Sequence, residues 1–268
     1  MSEPIRPTAA VTARDLVLSH DDHVALAGGS LEVPEGAVAA VVGPNGSGKS
    51  SLLDAVAGLL PVRGGSLRVL GDEPGHRGAV AYVLQATEVP EHLPMTVREV
   101  VTMGCYPSLG LLRPLGRAGR DRVDAAMART GVADLADRQL LELSGGQRQR
   151  VLVAQGLVTG APLLLLDEPM TGLDVVSRAG IEQVVAEEQS VGRTVVYTTH
   201  DLAEAATADV VVLLAGRVVA AGPPAEVLTE EHLSEAYRGR LVTAGGFAVL
   251  DDPHHHGSRR DRHDGHTH

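Results

Sequence analysis

The segment GPNGSGKS, residues 43–50, restricts the possible folds of this chain more than any other feature. It follows the apolar run AVAAVV (37–42) and precedes the helical pattern SLLDAVAGLL, so a glycine-rich turn joins a strand to a helix. Such glycines let backbone N–H groups turn inward around phosphate oxygens, and the N-terminus of the following helix adds positive potential. In this context the spacing G-x-x-x-x-G-K-[ST] predicts a phosphate-binding loop rather than a chance glycine-rich turn.

Side chains of this loop extend the predicted site. Lys49 is the only lysine among 23 basic residues, and we expect its compact ammonium to neutralise charge on the β- and γ-phosphates of a nucleotide. The hydroxyl of Ser50 can ligate Mg²⁺. The predicted nucleotide-binding residues here are Gly43, Pro44, Asn45, Gly46, Ser47, Gly48, Lys49, Ser50 and Ser51.

Further apolar runs alternate with helical patterns along the chain, which favours an α/β fold. These runs are AVAYVL (79–84), PLLLL (162–166), TVVYTT (194–199) and DVVVLL (209–214). Several are continuous rather than alternating, as expected for strands of a parallel sheet buried on both faces. The region before residue 35 favours an antiparallel flap, and 96–142 is mainly helical, with capping-box spacing between Thr96 and Glu99.

Polar residues directly follow the ends of three of these strands: Gln85, Asp167 with Glu168, and His200. Open α/β sheets bind ligands at the carboxyl ends of their strands, so we expect these groups to converge with the loop at one edge. Asp167 suits the Mg²⁺ shell, and Glu168 could position and polarise an attacking water. By themselves, two acids can merely end a strand, and a histidine such as His200 can be a buried structural residue.

The segment LSGGQ (143–147) is open to two interpretations. Ser144 and Gln147 have capping-box spacing, which is typical of a helix N-terminus. A helix start with two glycines and a hydroxyl is also a second anion site. Two phosphate-binding surfaces on one chain suggest that the second serves the nucleotide of a partner.

Together these motifs resemble the nucleotide-binding subunits of ABC transporters in order and spacing. GPNGSGKS, Gln85, LSGGQ, LLLLDEP (163–169), TGLD (171–174) and His200 carry the resemblance, which covers about residues 11–240. It implies an α/β P-loop NTPase of ABC type, with a mainly parallel core sheet, an antiparallel N-terminal β subdomain and a helical subdomain. It also implies an ATPase at the cytoplasmic face of a bacterial membrane, and a head-to-tail homodimer with two ATP molecules between protomers.

The resemblance assigns roles to individual residues. It implies that Lys49 and the loop backbone bind phosphates, and that Ser50, Gln85 and Asp167 organise Mg²⁺. Glu168 would be the catalytic base, His200 would contact the γ-phosphate, and Asp174 would communicate between protomers. The LSGGQ residues Ser144, Gly145, Gly146 and Gln147 would face the partner's nucleotide, with Ser144 and Gly146 reaching its γ-phosphate.

The chain departs from the family where an aromatic ring usually stacks on adenine. It is only 2% aromatic and has VLSHDD near the end of the first strand. We expect His20 to contact the adenine, with loose base selectivity, because imidazole stacks less extensively than tyrosine.

The stretch 86–112, ATEVPEHLPMTVREVVTMGCYPSLGLL, resembles the manganese/zinc branch of metal-uptake ATPases. ATPase chains without attached membrane spans typify importers, in which two of them dock under two permease chains and a solute-binding protein completes the complex. The resemblance implies that 86–112 contacts the permease, although helical packing explains its apolar positions equally well. We expect a metal importer, for zinc before manganese or iron, and an exporter as the alternative.

Composition and motif spacing argue against other classes of protein. The net charge of −11 argues against a nucleic-acid partner. ABC ATPases of DNA repair need a long insertion, but only 57 residues separate Gln85 from Leu143, and translation factors carry two ATPase cores. The N-terminus lacks an apolar signal region, no stretch is long enough to span a bilayer, and the single cysteine, Cys105, suits a reducing cytoplasm.

The tail DDPHHHGSRRDRHDGHTH holds half of the 12 histidines. Imidazoles favour Zn²⁺, Cu²⁺ or Ni²⁺, so the tail is a candidate zinc buffer or sensor outside the catalytic core; an inert polar tail or a cloning remnant is the alternative. The candidate ligands are His254, His255, His256, His263, His266 and His268. A non-enzymatic metal-binding protein built around the tail would leave the core motifs unexplained. We expect an extension at 1–10, an ATPase domain at 11–250 with a helical subdomain at about 86–160, and a disordered tail at 251–268.

Overall fold

The computed structural model describes residues 9–21, 23–85, 94–109, 114–237, 241–244 and 247–250. Its strands are β1 (Ala9–His20), β2 (His23–Ala27), β3 (Leu31–Pro34), β4 (Val38–Val42), β5 (Val62–Val69), β6 (Val80–Val83), β7 (Leu163–Leu166), β8 (Thr194–Thr199), β9 (Val210–Leu214), β10 (Val218–Gly222), β11 (Leu241–Ala244) and β12 (Phe247–Leu250). Its α-helices are α1 (Lys49–Ala57), α2 (Val97–Met103), α3 (Tyr106–Leu109), α4 (Arg117–Arg129), α5 (Gly145–Val158), α6 (Val175–Ser190), α7 (Leu202–Ala205), α8 (Pro224–Val227) and α9 (Glu230–Tyr237).

An antiparallel sheet forms the N-terminal part of the fold, as predicted for the region before residue 35. Its long strand β1 pairs antiparallel with β2, β3 and β5. Strand β5 lies beyond the glycine-rich loop and α1, so the loop is inserted between two parts of this sheet. β1 begins at Ala9, two residues before the start expected for the ATPase domain.

A second sheet has the strand order β10-β9-β4-β8-β7-β6. All neighbouring strands from β9 to β6 pair in parallel, and only β10 runs antiparallel at the edge. The predicted mainly parallel core sheet is therefore confirmed. Because β4, β8, β7 and β6 are consecutive neighbours, the segments that follow them emerge side by side.

Both faces of the core sheet are buried, which explains the continuous apolar runs. In β4, Ala40 and Val42 pack into a core shared with α2, α4, α5 and α6, whereas Ala39 and Val41 pack into a core shared with α1 and the N-terminal sheet. Every residue of β7 is fully buried. Alternate side chains of β4 thus enter two different cores, which explains why its apolar run is continuous.

Helices dominate the described residues between β6 and β7, as predicted for 96–142. Helix α2 starts with a capping box: the Thr96 hydroxyl accepts a hydrogen bond from the Glu99 backbone N–H at 3.3 Å, and the Thr96 N–H donates to Glu99 Oε2 at 2.8 Å. The predicted capping box is confirmed. Helix α5 packs against α2 and α4 and extends back to the core sheet.

Candidate functional site

The glycine-rich loop leaves β4 at Gly43 and enters α1 at Lys49. Gly46 and Gly48 have φ values of 76° and 98°, in the region that favours glycine. A Cβ on Gly48 would lie 2.8 Å from the Ala25 carbonyl oxygen and from Leu26 Cδ2. Gly48 therefore allows both the backbone turn and the close approach of strand β2, while the space beside Gly46 is open.

Lys49 is 7% exposed, and its ammonium lies under the loop. Its Nζ donates hydrogen bonds to the carbonyl oxygens of Gly43 at 2.9 Å and Pro44 at 3.3 Å. Burial lowers the pKa of Lys49, while the charges of Glu168 and Asp167 act in the opposite direction. The cation thus lies between the loop and the two carboxylates at the end of β7.

Asp167 and Glu168 are held by one hydroxyl group. Thr198 Oγ1 donates to Asp167 Oδ1 at 2.5 Å and accepts from the backbone N–H of Glu168 at 2.7 Å. Asp167 is 4% exposed, whereas Glu168 is half-buried and has a φ of 44°, a conformation in which non-glycine residues are strained. The strand end therefore buries the first carboxylate and turns the second toward the neighbouring strand.

Strand β6 adds two polar groups to this edge. Gln85 Nε2 donates to Glu168 Oε2 at 3.4 Å, which leaves the amide oxygen available as a ligand. The hydroxyl of Tyr82 donates to Asp167 Oδ2 at 3.4 Å. The structure thus brings Lys49, Gln85 and the two carboxylates together as predicted, and adds Thr198 and Tyr82, which sequence reasoning missed.

The start of α1 contacts the end of β1. His20 Nε2 lies within hydrogen-bonding distance, 3.0 Å, of Ser51 Oγ. Ser50 is exposed beside it at the first turn of α1. His20 is therefore placed next to the loop.

His200 is exposed directly after β8, on the strand between β4 and β7. Its position completes the row of strand ends predicted for the site. The backbone N–H of the next residue, Asp201, donates to the Thr199 hydroxyl at 3.0 Å, so the chain turns sharply around His200.

The LSGGQ segment forms the start of α5. Ser144 caps the helix, because its Oγ accepts from the Gln147 N–H at 3.3 Å and its own N–H donates to Gln147 Oε1 at 3.0 Å. This confirms the predicted capping box. A Cβ on Gly146 would lie 3.2 Å from Leu173 Cδ2, so this helix start packs against the TGLD segment. Gly145 is exposed, with open space at its Cβ position.

Asp174 caps α6 from the end of TGLD. Its Oδ1 accepts from the Ser177 N–H at 2.9 Å and its Oδ2 accepts from the Ser177 hydroxyl at 3.0 Å. These hydrogen bonds, the backbone one first, lower the pKa of Asp174. Its carboxylate is therefore fixed within its own protomer.

Two predicted regions fall partly or wholly outside the described residues. All six tail histidines lie outside the described residues, and so do residues 86–93 and 110–112 of the expected permease contact. Within 94–109, Met103 and Tyr106 are 40% and 39% exposed. No helix in the described part of the chain has the length and apolar character needed to cross a membrane.

The site's donor set matches a nucleotide with its magnesium ion. Asp167, Gln85 and Ser50 offer carboxylate, amide and hydroxyl oxygens, which are the hard ligands that Mg²⁺ prefers. Ser47 Oγ is buried within the loop and has no hydrogen-bond partner among the residues that the structure describes, and Lys49 supplies a cation. A glycine-rich loop, its lysine and strand-end carboxylates on a parallel sheet define a P-loop nucleoside triphosphatase.

Comparison with known proteins narrows this class. A family model described as ABC transporter matches residues 26–171. The zinc transport system ATP-binding protein TroB of Treponema pallidum (strain Nichols) is 41% identical over 244 residues, which cover 90% of this chain and 91% of TroB. The manganese transport system ATP-binding protein MntB of Bacillus subtilis (strain 168) is 39% identical over 215 residues, or 80% of this chain and 86% of MntB.

Comparison with a solved structure supports the same family. The cbiO1 chain from Clostridium perfringens, part of the ABC transporter complex cbiONQ, superposes with a TM-score of 0.70 and 29% identity over 87% of this chain and 96% of that one. The chain belongs to the ABC transporter family. It is accordingly an ABC-type ATPase that uses ATP and Mg²⁺.

Proposed function

We propose that this chain is the ATP-hydrolysing subunit of an ABC importer for a divalent transition metal, most directly zinc. The observation that carries the ATPase site is the meeting of Lys49, Gln85, Asp167 and Glu168 at one sheet edge. The metal cargo is supported by likeness to ATP-binding proteins of zinc and manganese transport systems over most of the chain. Manganese and iron are the alternative cargoes.

Hydrolysis is assigned to the residues at this edge. Lys49 and the loop backbone hold the phosphates, and Ser50, Gln85 and Asp167 supply the Mg²⁺ ligands. Bound Mg²⁺ would neutralise charge on the β- and γ-phosphate oxygens. Glu168 takes a proton from the attacking water. The oxygen of this water bonds to the γ-phosphorus as the bond between the γ-phosphorus and the ADP oxygen breaks. His200 contacts the γ-phosphate, and Thr198 orients the Asp167 carboxylate and fixes the backbone of Glu168.

Two protomers complete each site in this proposal. The exposed helix start at Ser144 and Gly145, with Gly146 and Gln147, faces the nucleotide of the partner, because a capped helix N-terminus attracts anions. Asp174 communicates between protomers from the adjacent TGLD segment. The ATPase domain spans 11–250, with the helical subdomain at about 86–160.

His20 is proposed to contact the adenine. Its hydrogen bond to Ser51 places the imidazole beside the loop, which supports the assignment. A small ring gives less stacking area than tyrosine, so base selectivity is expected to be low.

The permease contact is proposed at 86–112. Its described part exposes two large apolar side chains, Met103 and Tyr106, which could insert into a partner's groove. The chain then works at the cytoplasmic face of the membrane, with a solute-binding protein in the complete complex. An exporter is the second candidate, and finding a neighbouring gene for a metal-binding lipoprotein or periplasmic protein would distinguish import from export.

The cargo is tested by reconstituting the chain with its permease and binding protein in liposomes. We expect zinc-loaded binding protein to stimulate ATP hydrolysis more than the manganese- or iron-loaded form. If only the manganese- or iron-loaded binding protein stimulated ATP hydrolysis, that metal, and not zinc, would be the cargo. Metal movement out of the cytoplasmic compartment, with no dependence on the binding protein, would support the exporter.

The histidine tail is proposed to bind cytoplasmic zinc weakly and to adjust the ATPase. Its six imidazoles have no fixed spacing, so an adaptable site is expected rather than a structural one. We expect deletion of 253–268 to weaken zinc binding and to remove any zinc dependence of ATP hydrolysis. A full-length variant with asparagine at the six positions controls for chain length. Equal zinc affinity and equal ATPase behaviour in all three proteins would refute a role for the tail.

A further inference from the structure

Arg178 connects two segments of the proposed site that are far apart in sequence. It lies in the first turn of α6, and its Nη2 donates to Glu204 Oε2 at 3.0 Å and to Asp201 Oδ2 at 3.4 Å. Asp201 directly follows His200. One guanidinium group therefore joins the helix that follows TGLD to the loop that carries the histidine.

The TGLD end of this connection is rigid. The backbone N–H of Arg178 donates to the Asp174 carbonyl at 2.9 Å, and the Asp174 side chain is bonded to Ser177. The arginine and the aspartate thus belong to the same capped turn. The guanidinium group therefore connects this capped turn to Asp201 and Glu204.

The histidine end is held on both sides. The Asp201 N–H donates to the Thr199 hydroxyl at 3.0 Å, and Asp201 Oδ1 accepts from the Ala203 N–H at 2.9 Å as the cap of α7. His200 lies between these two anchored points. Since α7 is only one turn long, its position depends on the contacts that its side chains make.

Burial makes the Glu204 contact sensitive to the loss of its partner. The Glu204 side chain is 7% exposed, and its Oε1 has no hydrogen-bond partner among the described residues. Burial raises the pKa of Glu204 to about 7; the charge of Arg178 and a hydrogen bond with Thr199 oppose the shift, and the charges of Asp201 and Glu182 reinforce it. Without the guanidinium group, this buried carboxyl would lose its charge partner, and the segment from Asp201 to Glu204 would lose its ion pairs to α6.

We infer that Arg178 is a positioning residue for ATP hydrolysis, holding His200 in a fixed place relative to Asp174 through Asp201 and Glu204. The inference rests on the roles proposed above for His200 and Asp174. The competing interpretation is a purely structural ion pair. The chain offers a matched example of one, since Arg129 pairs with Glu187 at 2.9 Å and Glu188 at 2.7 Å at the other end of α6.

The two arginines are also similarly exposed, at 35% for Arg129 and 39% for Arg178, so Arg129→Ala is a suitable control for Arg178→Ala. We expect Arg178→Ala to lower kcat by about tenfold or more, because small misplacements of a catalytic group are costly. Its KM for ATP should stay within about twofold, since the phosphate loop is untouched. Arg178→Lys should restore part of kcat. Arg129→Ala should lower the melting temperature similarly and keep the parental kcat.

Two more variants make the outcomes decisive. Asp201→Asn keeps the helix cap but weakens the link to the guanidinium group, and should also lower kcat with little change in KM. A parental kcat in Arg178→Ala, or equal losses of kcat in the Arg178 and Arg129 variants, would overturn the inference. His200→Ala separates the failures: if it loses activity while Arg178→Ala keeps it, only the positioning role is wrong. If His200→Ala is fully active, the role proposed for His200 is wrong, and the inference falls with it.

Discussion

Replacing Glu168 with glutamine is expected to lower ATP turnover by roughly 100-fold or more while ATP binding is preserved. Glutamine has the same shape, and the backbone N–H of residue 168 keeps its 2.7 Å hydrogen bond to Thr198. The variant loses the negative charge near Lys49 and the ability to take a proton from water, while its amide oxygen can still accept the hydrogen bond from Gln85. Phosphate release measures turnover, and equilibrium titration with a fluorescent ATP analogue measures binding. We also expect ATP to trap the variant as a dimer in sedimentation experiments.

The matched control is Glu32→Gln, which changes an exposed glutamate on β3, outside the proposed site. It should hydrolyse ATP at the parental rate and have the same oligomeric state as the parent under each condition. Hydrolysis at the parental rate in Glu168→Gln would show that another group accepts the proton. Loss of ATP binding in the same variant would instead point to a structural role for the strained residue.

Replacing Lys49 with methionine is expected to weaken ATP binding by about 10- to 100-fold, and turnover with it. A hydrogen bond to a charged group contributes about 1.5–3 kcal/mol, and each 1.4 kcal/mol is about tenfold in affinity. Methionine fills a similar volume in a position that is only 7% exposed, so the fold should be kept. Calorimetric titration with Mg-ATP measures the affinity, and circular dichroism checks the fold.

Arg68→Met serves as the control because it removes one positive charge from an exposed position on β5, where the arginine side chain is 56% exposed. Its ATP affinity should equal that of the parent. If Lys49→Met bound ATP as tightly as the parent, the ammonium of Lys49 would not hold the phosphates as proposed. The backbone N–H groups alone would then account for the affinity.

Much of the fold was predictable because periodicity reports burial. The runs around Val42, Leu166 and Thr199 are continuous, and each proves to be a parallel strand buried on both faces. The polar residue after each run then had to lie at the carboxyl edge. This physical rule predicts that Gln85, Glu168 and His200 lie in one row.

Side-chain contacts between distant segments were not predictable in this way. Thr198 is one of two adjacent threonines in an apolar strand, and its bonds to the Asp167 carboxylate and the Glu168 backbone N–H depend on how β7 and β8 are aligned. In the sequence, Arg178 looks like any exposed helical arginine, because only the folded chain brings α7 beside it. The pairing of β5 with β1 and the antiparallel edge strand β10 likewise depend on tertiary packing, which local patterns do not encode.

Whether two protomers share each ATP site is tested most directly by mixing two variants that are inactive alone. Lys49→Met disables the phosphate loop, and Ser144→Arg blocks the helix start that is proposed to face the partner. In a head-to-tail mixed dimer, the intact loop of one chain meets the intact LSGGQ segment of the other. We predict that the mixture regains ATPase activity well above the sum of the separate variants. A mixture no more active than that sum would contradict the shared site.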